Sequence, residues 1–488
     1  DGPLDPAQLA GHGDMDAEAF RRAAHEVADL MADYLATVEQ RPVLPRVAPG
    51  DVRAHLPPAA PAAPEPLERI LADYRAFIEP NVTHWQHPGF LAYFPSTASG
   101  PGILGEMLVS TLVANAMLWR TSPAATELEE VTVRWLRDAL GLPLAFDGLF
   151  TDTASTSSLA ALAAARQLAT GDAAAAGLYG APLRFYASAE AHSSIEKAGM
   201  MLGLGREGVR RIPVDDAYAM DVEALDAAIA EDRAAGIRPA AIVATVGTTG
   251  SNAVDPVERL ARVAAREVLW LHVDAAYAGV VALLPDRRAP FAGWERADSI
   301  VVNPHKWLFT PLDCSLLLTR RPTVLRDAMS LVPEYLRTTD QVAVHDFNEY
   351  QPQLGRRFRA LKVWFIVRYF GLEGLRSRIA EHLEQAARFA ARVDGEPDAE
   401  RLAPVPFATV CFRWHPRGVT DEAVLDRLNQ QLMERVNATG DFFISHTRLG
   451  GRFTLRLALG NLRTESRHVE RFWDLVRRLG PEVAAESA

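Results

Sequence analysis

Cysteine is scarce: Cys314 and Cys411 are the only two in 488 residues. Two cannot staple a chain of this length, so a disulfide scaffold is excluded and a reducing cytoplasm is the expected compartment. Positive charge is also in deficit. Lys and Arg number 51 against 62 Asp and Glu, a formal net charge of -11. A phosphate backbone needs clustered cations, so nucleic acid is not an expected partner. No apolar run is long enough to span a bilayer, and no basic region precedes an apolar run near the start. Neither a membrane crossing nor a secretory leader is therefore expected. The rest is ordinary. With 49% hydrophobic and 23% charged residues, the composition is that of a soluble globular protein. The length allows a large core and two or three domains.

Apolar periodicity predicts a helix from about Asp16 to Glu39, with Phe20, Ala24, Val27, Met31 and Tyr34 on one face and Asp14 or Asp16 as cap. A proline-rich strap, Arg41 to Pro66, should not be helical. A second helix is predicted from Leu67 to Ile78. Two helices joined by a strap make a poor core of their own, so they are expected to wrap another surface, such as a second subunit. From Pro123 the pattern changes. A helix over 124–140 precedes short apolar strands at 184–187, 241–245, 269–273 and 299–302, each separated by helical segments. Such alternation predicts a mostly parallel sheet covered on both faces. Beyond Gly371, helices near 373–393 and 420–438 flank strands at 409–414 and 452–458, a smaller α+β unit. The expected division is 1–99, a helical dimerisation segment with its strap; 100–372, a large ligand-binding domain; and 373–488, the small domain.

Two strand ends carry the chemistry. Asn303-Pro304-His305-Lys306-Trp307 follows the strand at 299–302. A lysine there can be desolvated, lose its proton and attack a carbonyl. A surface lysine beside a loop tryptophan is the plain alternative. His272 to Gly279 follows the apolar run Val268-Leu269-Trp270-Leu271 and places Asp274 where a buried strand ends. A lysine to hold an aldehyde and an acid to keep a pyridine nitrogen protonated are what pyridoxal phosphate requires. Thr153-Ala154-Ser155 opens an alanine-rich helix after the apolar turn 148–150; it reads either as a phosphate cradle or as a simple N-cap. His192 could lie flat on an aromatic ring or serve as a capping-loop histidine. Gly247-Thr248-Thr249-Gly250 allows close backbone approach to a ligand, and Asp255-Pro256 reads as the cap and first residue of a helix.

Two signals point elsewhere. Gly203-Leu204-Gly205-Arg206-Glu207-Gly208 fits the dinucleotide glycine pattern, but a helix precedes it and a strand follows, the reverse of the order such a fingerprint needs. It reads as a helix-ending turn. His84 and His87 lack a third ligand at suitable spacing, so no metal is expected.

Six segments together carry a family resemblance. They are His84 to Pro88 with Tyr93-Phe94-Pro95; Ser122-Pro123-Ala124 with Thr126 to Glu129; His192; His272 to Gly279; Asn303 to Trp307; and Leu354 to Arg359 with Leu361-Lys362. The chain resembles the group II pyridoxal-phosphate decarboxylases, specifically the aromatic L-amino acid decarboxylases, over nearly its whole length. The resemblance implies an α/β fold of the aspartate-aminotransferase-like type (fold type I). It implies a homodimer with shared active sites and an amino acid substrate. It also implies roles. Lys306 would carry the cofactor covalently, Asp274 would pair with the ring nitrogen, and His192 and Ala276 would cover the two ring faces. Thr153, Ala154, Ser155, Asn303 and His305 would hold the phosphate, with Thr249 nearby and Gly355 reaching the neighbour's phosphate. Trp85, Tyr93, Phe94 and Pro95 would form the substrate pocket, with Asn115 and Met117 as its partner-side wall. Tyr335 would be the acid that protonates Cα.

The chain departs from this pattern where the phosphate loop usually has glycine and glutamate; Asp152 and Thr156 stand there. Asn115 and Met117 replace a commonly apolar or aromatic wall. The expected activity is decarboxylation of an aromatic L-amino acid to its arylalkylamine and carbon dioxide. The alternatives are an aldehyde synthase or a decarboxylase of a non-aromatic amino acid on the same fold. A catalytically silent cofactor-binding protein is the remaining possibility.

Overall fold

The computed structural model describes residues 14–178, 180, 182–331 and 344–487. A seven-stranded sheet is built from β1 (Asp147–Thr151), β2 (Leu183–Ser188), β3 (Val209–Ile212), β4 (Arg238–Thr245), β5 (Trp270–Asp274), β6 (Ser299–Val302) and β7 (Ser315–Thr319). Its order is β1-β7-β6-β5-β4-β2-β3. Only β7 runs against the rest. The inner strands are apolar on both faces because helices cover both. Every residue of β5 and β6 is buried, as is β4 from Pro239 onward. The helix Val257–Glu267 turns Val257, Leu260, Ala261 and Ala264 to the sheet, the spacing of one helical face. The helix Ala154–Thr170 buries Ala160, Ala161 and Ala163 to Ala165, small residues that let it sit close to the strands.

A second, four-stranded antiparallel sheet contains β8 (Ala399–Arg401), β9 (Thr409–Trp414), β10 (Ser445–Leu449) and β11 (Arg452–Ala458), in the order β10-β11-β9-β8. Helices Glu422–Ala438 and Ser466–Ser487 pack with it. The first helix, Ala17–Thr37, is capped by Asp16, which accepts from Glu18 N and Ala19 N. None of its residues is buried, and Phe20 is 55% exposed.

Several expectations need correction. The strap contains a short helix, Asp51–His55, whose Asp51 carboxylate accepts from Ala48 N. Residues 148–150 are not a turn; they are the middle of β1, paired with Leu316 to Leu318. The helix near 373–393 is the second half of Arg359–Gly395, broken at Gly371 (φ 62°, ψ 169°). Asp255 does not cap the helix that follows. Its carboxylate turns inward and accepts from Met220 N and Thr245 N, both at 2.7 Å. The glycine-rich segment at 203–208 does end a helix, and Gly203 and Gly205 supply its positive φ angles. His84 meets the Tyr34 hydroxyl, and His87 bonds the Glu39 carbonyl.

Candidate active site

The carboxyl ends of β1, β2, β4, β5 and β6 open on one edge of the large sheet, where ligands bind in open α/β folds. A cavity of about 180 Å³ lies there. Its wall includes Phe94, Thr153, Ala154, Ser155, His192, Thr249, Asp274, Ala276, Asn303, His305 and Lys306. These come from separate parts of the chain; Phe94 belongs to an irregular segment ahead of β1, and the others lie at or just after strand ends.

Lys306 sits on the single turn Pro304–Trp307, directly after β6, and its backbone N–H returns to the Asn303 carbonyl. Its Nζ stands 5.1 Å from the centre of the Phe94 ring. Burial depresses its pKa, and the Asp274 charge opposes this. An amine held this way deprotonates more readily than one in water. The chain has only two other lysines. Lys197 is exposed, and Lys362 is buried against Glu106 at 2.8 Å. Neither is in the cavity wall.

Asp274 ends β5, which has β4 on one side and β6 on the other. One carboxylate oxygen accepts from Ala276 N at 3.1 Å. His192 lies in the loop after β2, and its Nδ1 accepts from Ser194 N at 3.2 Å and meets the Ser194 hydroxyl at 2.8 Å. With Nδ1 so engaged, a proton on the neutral ring belongs on Nε2. Burial lowers the His192 pKa, Asp274 opposes this, and Lys306 adds to it. His305 is pushed down to about 3, chiefly by burial, and its Nδ1 accepts from Cys314 N at 2.9 Å. It is neutral at physiological pH.

Thr153 precedes the helix Ala154–Thr170, and no side chain caps that helix. The first amide turned back into the chain is that of Ser157, bonded to the Thr153 carbonyl. The amides of Ala154, Ser155 and Thr156 are left for an anion. A ladder of buried hydroxyls fixes this turn from below. Thr151 Oγ1 meets Ser157 Oγ at 2.8 Å, and Ser157 Oγ meets Ser315 Oγ at 3.0 Å. Two buried polar atoms in cavity-wall residues, Asn303 Oδ1 and Thr245 Oγ1, lack a hydrogen-bond partner. A buried group without a partner is costly unless a ligand satisfies it. An amine, a carboxylate, open helix amides and unpaired polar atoms form the set that suits an aromatic aldehyde bearing a phosphate and a basic ring nitrogen.

Two residues past the end of β4, Gly247 holds a place that requires glycine. Its φ is +90°, and a Cβ there would meet the Ala278 side chain at 2.8 Å.

Of the substrate-pocket candidates, Phe94 is the one in this wall. It stacks on Tyr277 at 3.8 Å, and Tyr277 stacks on Trp307 at 4.7 Å, so the ring under Lys306 is braced through two neighbours. Trp85 and Tyr93 stack on each other outside the wall, both partly exposed, and Pro95 is buried beside Phe94. Asn115, Met117 and Gly355 are also outside the wall but share one patch. Asn115 Oδ1 accepts from Arg356 N, its Nδ2 donates to Met117 Sδ, and its backbone bridges to Arg357. Tyr335 lies outside the described residues.

Sequence reasoning missed Arg456. It comes from β11 in the other sheet, is buried, and lies 5.5 Å from the Phe94 ring centre. It donates to the carbonyls of Gly250 and Tyr93 and to the Ser445 hydroxyl. Ser194, Thr245 and Tyr277 of the wall were also missed. Ser194 could have been found from its place two residues after His192. Arg456 could not, because nothing local marks it.

The pyridoxal-dependent decarboxylase conserved domain matches residues 49–415. A tryptophan decarboxylase of Camptotheca acuminata is 40% identical over 473 residues, covering 95% of each chain. A phenylacetaldehyde synthase of Arabidopsis thaliana is 41% identical over 474 residues, covering 95% of this chain and 96% of its own. Among solved structures, Oryza sativa TDC with PLP and tryptamine superposes with a TM-score of 0.94 at 37% identity. That match covers 97% of this chain and 99% of the other.

Proposed function

The chain belongs to the pyridoxal-dependent decarboxylase family, and from that premise we propose that it converts an aromatic L-amino acid to its arylalkylamine and carbon dioxide. It is a pyridoxal-phosphate enzyme of the carboxy-lyase class. The observation that carries the reading is the pairing of Lys306 and Asp274 at adjacent strand ends, facing one cavity.

When bound, pyridoxal phosphate supplies an electron sink for the pair left behind as carbon dioxide departs. The residues of the chain prepare that step. Lys306, whose pKa burial lowers, offers an Nζ that gives up its proton more readily and can hold the aldehyde carbon. Asp274 keeps a proton on the ring nitrogen; each unit by which it raises that pKa favours the protonated form by about 1.4 kcal/mol. His192, neutral at its loop, offers a flat ring without a competing positive charge. Ala276 is small enough for close approach from the opposite face. Ala154, Ser155 and Asn303 hold the phosphate. Trp85, Tyr93 and Phe94 give the substrate an aromatic rim, and Arg456 positions Phe94 and the Tyr93 backbone.

Tyr335 is the acid in this reading. Replacing it by phenylalanine would remove a proton donor without removing a ring, and should shift product from amine toward aldehyde. Unchanged amine yield in product analysis would count against that role.

The active form in this reading is a homodimer. Leu104, Leu108, Leu112 and Val113 are exposed beside the uncovered helix Ala17–Thr37. Exposed apolar surface of this extent is normally covered by a partner. The Asn115, Met117 and Gly355 patch would then serve the neighbour's cavity. Leu108→Arg should yield monomer in light scattering and lose activity; an active monomer would contradict the arrangement.

A second reading has support of its own, because aldehyde synthases stand among the relatives at comparable identity. One experiment separates the two. The purified chain is supplied with tryptophan, tyrosine, phenylalanine and dihydroxyphenylalanine, and amine, aldehyde, hydrogen peroxide and carbon dioxide are quantified. Equal amine and carbon dioxide are expected. Aldehyde with hydrogen peroxide would favour the synthase. Turnover confined to non-aromatic amino acids would overturn the substrate class.

A further inference from the structure

An acid, Asp152, directly precedes the residues of the phosphate cradle. Asp152 Oδ1 accepts from Thr153 N at 2.6 Å and lies 3.4 Å from the Thr153 hydroxyl. Its Oδ2 accepts from Gln353 Nε2 at 3.2 Å. Among the described residues, no lysine or arginine forms a salt bridge with it. Its backbone is not in the left-handed region, so no glycine is required there for conformational reasons.

The position matters by one residue. Asp16, Asp221 and Asp421 each occupy the N-cap of a helix and take up amides of its first turn. An aspartate at that place before Ala154 would consume the donors an anion needs. Asp152 sits one residue earlier. It takes the Thr153 amide instead and leaves those of Ala154, Ser155 and Thr156 open. The cradle therefore keeps three amides but has a carboxylate next to its first residue, and Thr153 is already engaged.

We propose that Asp152 sets the affinity of this chain for the phosphate end of its cofactor. It competes for the Thr153 donors and repels the incoming anion, so that the cofactor is held more loosely than the open helix amides alone would allow. Gln353 is the second partner that keeps the carboxylate in place. This inference rests on the reading of the cavity as a pyridoxal-phosphate site.

The test uses the full chain freed of cofactor, titrated with pyridoxal phosphate and, separately, with pyridoxal. Uptake is followed by cofactor absorbance and by tryptophan fluorescence. Asp152→Gly removes the charge and the Thr153 contact. Asp152→Asn removes only the charge and protects the test if the glycine variant folds poorly. Both should bind pyridoxal phosphate about three- to tenfold more tightly than the parent, the scale of one partly screened like charge nearby. Both should bind pyridoxal within about twofold of the parent, since it has no phosphate to repel. Folded variants with unchanged or weaker pyridoxal-phosphate affinity would overturn the inference. So would equal tightening toward pyridoxal. A parent chain that takes up no pyridoxal phosphate would instead overturn the functional reading itself.

Discussion

At the scale of single residues, the proposed function divides the work between Lys306 and Asp274, and the two can be tested apart. Lys306→Ala should lose the covalent cofactor band in the visible spectrum and at least about a thousandfold in kcat, as removal of a nucleophile does. Asp274→Asn should keep the covalent band and lose about two orders of magnitude in kcat, the size of a missing preorganised charge. A lost band with intact turnover in either variant would break the assignment. Both residues were legible in the sequence because each sits in a short segment whose neighbours announce a strand end. Asp255 was legible only in part. Its place before a proline suggested a cap, yet burial turns the carboxylate to Thr245 and Met220 and raises its pKa to about 7. A local pattern cannot show that a side chain has a better partner across the core.

At the scale of elements, the alternation of strands and helices was readable because continuous apolar strands need cover on both faces. β1 was not. Gly148 lets β1 approach Leu317 closely, since a Cβ there would come within 2.2 Å of the Leu317 carbonyl oxygen. That strand is defined by pairing with β7, more than 160 residues away, and long-range pairing leaves no local mark. Arg456 was invisible for the same reason, since β11 is brought to Phe94 only by the fold. The break at Gly371 is an element-level prediction. Its φ and ψ are open to glycine and strained for other residues, although space around it is free. Gly371→Ala should therefore destabilise by about 1–3 kcal/mol in urea unfolding without altering cofactor affinity. A neutral effect would mean that the two halves of the helix can straighten at no cost.

At the scale of the whole molecule, buried neutral histidines dominate the acid response. His87 and His272 are pushed down to about 4, and His305 and His382 to about 3, chiefly by burial. Their unfolded values are near 6.5, so below that pH the unfolded chain binds protons that the folded chain refuses. Stability is lost as pH falls from about 6.5 toward 4, by about 2 kcal/mol per fully shifted histidine at pH 5. Asp255 works in the other direction. Its raised pKa favours the folded state as pH falls from 7 toward 4, but one such group contributes about 3 kcal/mol at most at pH 5 and is outweighed by four histidines. Melting temperature should drop between pH 6.5 and 4.5; a rise across that window would contradict the burial of these rings. The central claim concerns a single atom in the whole chain, Lys306 Nζ, and with only three lysines present it can be read without ambiguity. The protein is loaded with pyridoxal phosphate, reduced with borohydride, digested and mapped by mass spectrometry. A phosphopyridoxyl mass is expected on the peptide containing Lys306 and none on those containing Lys197 or Lys362. A label on either of those two, or no label on any lysine, would contradict it.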